Sequence, residues 1–107
     1  MLGATRGNRT GSRHALAIVC FHKRQYAGAV GAARDAIRHN PKFGIARAIL
    51  AAALIRLGRV EEAKAAGRDL LECEPSFTIS GRTRTAGFQP AVFAPFAEAW
   101  REIGLPE

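Results

Sequence analysis

The side chains in this sequence best suited to hold a metal or activate a nucleophile are His14, His22 and His39, with Cys20 and Cys73. Helical ligands to one ion recur three or four residues apart, so that they share a face. Cys20 and His22 are two apart on an expected helix and point to different faces, while His39 at a helix C-terminus is favoured there by charge alone. Carboxylates pair at Glu61/Glu62, Glu72/Glu74 and Glu98/Glu102. All fall on surface-type helical positions, and an acid–base couple needs desolvation that such positions do not give. No nucleophile stands beside an activating group. The glycines of GATRGNRTGS lack both the Lys-Ser/Thr pair and the preceding strand of a phosphate-binding loop. The reading is a non-enzyme, without metal or cofactor.

Composition narrows what positions these residues. Hydrophobic residues make up 48% of the 107 but aromatic ones only 7%, much of the apolar content being alanine. That balance suits helices packed through small side chains better than a sheet. The net charge of +7 is uneven: residues 1–48 hold nine Lys/Arg against Asp35 alone, and the remainder is close to neutral. A basic half steers nucleic acid, anionic lipid or an acidic partner toward it. No recognition motif accompanies the charge, so a solvated face and a basic arm are the simpler explanation. The two cysteines lie far apart in helical patterns, where cysteine acts as a small buried hydrophobe, and a reducing cytoplasm is the expected setting. The longest apolar run, Ala48 to Ile55, falls well short of the ~20 residues that span a bilayer. Ala15–Phe21 leads straight into His22-Lys23-Arg24 with no small-residue cleavage site, so it is not read as a signal peptide.

Residues 1–12 are read as a flexible basic arm, with Ser12 as N-cap of the first helix. The rest of the chain, 13–107, is one helical domain. Shifted against itself by 34 residues, the sequence places Leu16 on Leu50, Ala17 on Ala51, Cys20 on Leu54 and Ala29 on Ala63. Pro41 falls on Pro75 in the same register. This period predicts a repeat over 13–41 and a second over 42–75. In the first, a helix over Arg13–Lys23 carries Leu16, Ala17 and Cys20 on its inner stripe. Arg24-Gln25 turns the chain, and a second helix runs Tyr26–His39 with Ala29, Ala33, Ala36 and Ile37 inward. Asn40-Pro41 ends it, because proline disfavours helix in the residue before it. The second repeat reads Lys42–Leu57, the turn Gly58-Arg59, and Val60–Cys73. A loop is expected over 76–90, and then a capping helix over 91–107 that starts at Pro95 and presents Phe96, Trp100 and Ile103 on one face.

Ala29, Ala36, Ala63, Tyr26, the turn glycine Gly58 and the unit-ending Pro41 and Pro75 resemble the tetratricopeptide-repeat consensus, most closely in ALIRLGRVEEAKAAGRDLLECEP. The resemblance implies an all-α fold of two helix-turn-helix hairpins plus the capping helix. Gly67 and Leu70 depart from it, standing where the repeat usually has a larger residue and an alanine, which implies looser packing in the second unit. The tail, PSFTIS followed by a short helix and REIGLPE, resembles the C-terminal repeats of bacterial class III adenylate cyclases and winged-helix regulators. The sequence holds no cyclase or DNA-binding segment, so neither activity transfers.

In such arrays the first helix of each unit lines a concave groove. The resemblance places His14, Ile18, Phe21 and His22 from the first unit there, and Ile45, Ala48, Ala52, Ile55 and Arg56 from the second. The carboxylate clamp of some members would fall on His14, Ile18 and Ile49 and is absent. An apolar groove suits an amphipathic helix, supplied by a protein partner, a second copy in a homodimer, or the chain's own Phe96–Trp100 segment. The functional expectation is a cytoplasmic protein-interaction scaffold of bacterial signalling, with no membrane association. The alternative is a nucleic-acid-binding module using Arg6, Arg9, Arg13, Lys23 and Arg24. A third reading is the regulatory tail of a larger signalling protein.

Overall fold

The computed structural model describes residues 9–41, 44–81 and 90–107. Among the described residues the fold is carried by the helices α1 Arg9–His22, α2 Tyr26–His39, α3 Gly44–Arg56, α4 Val60–Cys73 and α5 Pro90–Ile103. α1 pairs with α2 and α3 with α4 as hairpins, α2 packs on α3, and α5 lies across α3.

The 34-residue period of the sequence is also a period of the backbone. Gln25 and Arg59, which precede α2 and α4, have φ/ψ of −93°/71° and −90°/72°. Asn40 and Glu74, each followed by proline, leave their helices at −147°/83° and −138°/78°. Proline imposes that extended geometry on the residue before it.

Three helices end in the same hydrogen-bonded closure, the Schellman motif, in which a residue with left-handed φ lets two amide N–H groups reach back to orphan carbonyls. At α3 the residue is Gly58, φ 82°, and the Arg59 N–H donates to the Leu54 carbonyl at 3.0 Å. At α5 it is Gly104, φ 98°, with Leu105 N–H donating to Trp100 O at 3.1 Å. At α1 the residue is Arg24, φ 63°, with Gln25 N–H donating to Cys20 O at 2.8 Å. A side chain in this conformation costs about 1 kcal/mol, because its Cβ crowds the following carbonyl.

The core explains the alanine content. α3 buries Ile45, Ala46, Ala48, Ile49, Ala51, Ala52, Ala53 and Leu54, which leaves it no wholly solvated face. A helix that is apolar all round belongs at the centre of its domain, and α1, α2, α4 and α5 all pack on this one. Small residues at Ala29, Ala33, Ala63 and Gly67 let the flanking helices approach closely. Burying each aliphatic or aromatic side chain contributes roughly 1.5–3 kcal/mol, and the larger ones sit on the α5 side: Phe93, Phe96 and Trp100, with Phe21 and Phe77.

Several expectations need correction. α1 begins at Arg9, so Ser12 lies inside the helix rather than capping it; residues 1–8 of the expected arm lie outside the described residues. Leu16 does not face inward but is 54% exposed. The residue 34 positions later, Leu50, sits half-buried on a helix with the preceding hairpin packed against it, and α1 has no preceding hairpin among the described residues. α5 starts at Pro90, and Pro95 is internal rather than first. Proline at either place spares no needed N–H at Pro90 but removes one intrahelical bond at Pro95. The loop over 76–90 is interrupted by a helical turn at 79–81, and 82–89 lie outside the described residues. That turn is tied to the C-terminal end: Ile79 and Ser80 N–H groups donate to the Pro106 and Glu107 carbonyls, both at 2.9 Å.

Gly67 does not loosen the second unit. A Cβ there would stand 3.3 Å from Leu105 Cδ2 and 3.4 Å from Ile103 Cγ2, so the missing side chain makes the seat on which the C-terminal residues rest.

Candidate functional site

α5 packs against several of the residues expected to line a groove, namely Phe21, Ala48 and Arg56. Phe21, Ile45, Ala48 and Ala52 are buried within the chain, and Ile18 and Ile55 are half-buried. The side chain of His14 lies outside the described residues. Phe21 of α1 stacks on Phe96 of α5 with ring centroids 4.1 Å apart and planes at 23°. Phe96 in turn lies 5.6 Å from Phe93 and 5.9 Å from Trp100. The Trp100 indole N–H donates to the Ala48 carbonyl at 2.9 Å in the buried interior. A buried indole N–H left unpaired would carry the full desolvation penalty, so this bond fixes where α5 sits as well as how firmly.

What remains open is the end of the groove beside the first turn. There a cleft of about 340 Å³ is lined by Phe21, His22, Arg24, Tyr26, Arg56, Pro95 and Glu98. α1 delivers Phe21 to its floor and His22 to its wall, since consecutive helical residues diverge by about 100°. The His22 ring meets the Phe96 ring edge-on at 5.9 Å, and Phe21 and Tyr26 make a T-shaped pair at 5.1 Å. Arg56 closes the far side. Its guanidinium donates to Glu102 at 2.7 Å and lies 4.0 Å from Glu98, one helical turn earlier on α5. With its side chain only 22% exposed, Arg56 is oriented by two carboxylates rather than left mobile.

Reasoning from sequence had named His22 and Arg56 but not Arg24 or Tyr26 for this surface. The signal for Arg24 was present: the 34-residue alignment sets it on Gly58, an arginine where the turn prefers glycine.

Three cations of the basic half are engaged within the chain. Arg34 meets Glu62 at 3.5 Å, Arg38 pairs with Asp35, and Arg47 donates to the Pro41 carbonyl at 2.8 Å. Among the described residues, Lys23 and Arg24 form no ion pair. His39 Nδ1–H donates to the Asp35 carbonyl at 2.9 Å, a helix-end contact. Among the described residues no three of His, Cys, Asp and Glu gather as metal ligands would, and no helix is long and apolar enough to cross a membrane.

The tetratricopeptide repeat, compared as a family, matches residues 21–77, more than half of the chain. The chain belongs to the tetratricopeptide-repeat family. The match runs from the last turn of α1 through both hairpins to Phe77, and it includes the period in backbone angles described above. α5 lies beyond it, so the helix that fills the tetratricopeptide groove is an addition to the matched region. No curated protein and no solved structure matches the chain.

Proposed function

We propose that this tetratricopeptide-repeat chain is a non-catalytic protein-interaction module that holds a segment of another protein at the mouth of its groove, where His22, Arg24 and Arg56 border the α5 helix. The observation that carries this reading is the occupancy of the groove. α5 shows that the surface made by α1 and α3 accepts an amphipathic helix through aromatic anchors, the mode in which grooves take partner helices. With Phe96 and Trp100 already in place, the accessible part is the open end, with Ile18 and Ile55 half-buried beside it. The resemblance of the tail to the C-terminal repeats of bacterial cyclases and winged-helix regulators supports an accessory role in bacterial signalling.

Affinity capture from a lysate, with and without nuclease and at low and moderate salt, tests the proposal. A discrete protein retained after nuclease, and lost with Arg56→Gln, supports it. Bound material that disappears on nuclease treatment would transfer the function to the basic arm.

A further inference from the structure

We infer that the cleft between the first turn and α5 anchors a carboxylate of an acidic protein segment, held chiefly by Arg24 and Arg56; this rests on the module reading above and names its ligand. Three observations converge on it. The first is Arg24 itself, which holds φ 63° at the position where the second repeat uses Gly58 at φ 82°. Glycine would relax that strain, and strain retained in a folded chain points to work done by the side chain. The second is pairing. Arg24 forms no ion pair among the described residues, although it shares a cleft with Glu98. The third is preorganisation: Glu102 at 2.7 Å fixes the Arg56 guanidinium with one edge turned toward Glu98 at 4.0 Å. Glu98 is 74% exposed and makes the weaker contact. An incoming carboxylate takes the place of Glu98 on Arg56, gains Arg24 from the same cleft, and leaves the Glu102 pair intact.

The cleft favours a peptide over a free phosphate for two reasons. Its volume of about 340 Å³ exceeds what one small anion fills, and its lining offers the half-buried Pro95 to an adjoining apolar side chain. Glu98 on the rim also repels a dianion more than a single carboxylate.

The test is an amide NMR titration of the full chain with a blocked Ala-Leu-Glu-Leu-Ala peptide, one carboxylate beside apolar side chains, and, separately, with inorganic phosphate at equal concentration. The expected result is peptide-induced shifts confined to residues 22–26 and 56, with a much smaller response to phosphate. Arg24→Gly should weaken peptide binding about fivefold or more, the range for removing a charge-assisted contact at a partly exposed site. It should do so while raising the melting temperature, an effect no structural role for Arg24 predicts. Arg24→Lys should retain most of the binding, and Glu98→Gln should tighten it. Equal responses to phosphate and peptide, or unchanged binding in Arg24→Gly, would overturn the assignment. Partner capture that survives Arg24→Gly overturns the cleft alone. Capture lost to nuclease overturns the module reading instead.

Discussion

The indole nitrogen of Trp100 lies 2.9 Å from the carbonyl oxygen of Ala48, joining residues 52 apart in the chain inside the packed interior. Ala48 belongs to the central helix and Trp100 to the last one, so this bond decides whether the groove is open or occupied. The Ala48 carbonyl lies within a helix and still has a second lone pair to offer. The contact therefore adds to the helical ladder without breaking it.

Trp100→Phe keeps most of the apolar volume and removes the donor. We expect a loss of about 1 kcal/mol, against roughly 3–5 kcal/mol for Trp100→Ala. Urea unfolding of both variants checks this. Equal losses in the two would show that volume rather than the hydrogen bond is negligible at this site, contrary to the packing described.

Arg24→Gly relieves the left-handed strain and should stabilise the fold by about 1 kcal/mol, a rise of roughly 4–8 °C in Tm for a domain of this size. Gly58→Ala imposes the same strain on the second repeat and should lower Tm by a similar amount. No Cβ clash opposes that change, since nothing lies within 4 Å of the site. Paired thermal melts are sufficient.

Gly67→Leu fills the seat of Leu105 and Ile103. The C-terminal residues should lift away, at a cost of about 1–3 kcal/mol as an overpacked site. Hydrogen exchange at the Ile79 and Ser80 amides gives the readout, because their acceptors are the Pro106 and Glu107 carbonyls. Exchange as slow as in the parent chain would count against the coupling.

Phe21→Ala separates folding from recognition. Phe21 is 2% exposed and stacked on Phe96, so truncation should cost about 3 kcal/mol or more and any loss of partner capture would follow from unfolding. Circular dichroism before each capture experiment distinguishes the two. Arg56→Gln, which removes the charge without setting a third carboxylate beside Glu98 and Glu102, is the cleaner probe of the surface.

The hairpins were legible because the information lies in periodic, local features. Alanine spacing, the turn at Gly58 and the prolines after Asn40 and Glu74 each act within a few residues, and the bounds of α2 and α4 follow directly. The start of α5 was not legible. Pro90 and Pro95 are both acceptable first residues, and the choice depends on Phe93 finding its place among Phe96 and Trp100, a tertiary contact. The exposure of Leu16 was hidden for a related reason, since its pattern is that of Leu50 and only the missing neighbour differs. Of the residues expected in a groove, Phe21, Ile45, Ala48 and Ala52 serve the chain's own core, and a helix that the chain packs on itself leaves no mark in a local pattern.

Trp100 is the single tryptophan of the chain, and its indole bond to Ala48 ties the last helix to the central one. The hairpin contacts are local and should form on the fast timescale of helical pairs, whereas seating α5 must close a far larger loop. Tryptophan emission therefore reports the final docking event almost alone, while far-ultraviolet ellipticity reports the hairpins. A stopped-flow record of both signals would resolve the order of assembly without any label, and a lag in fluorescence behind ellipticity would measure how long the groove stands open before its own helix closes it.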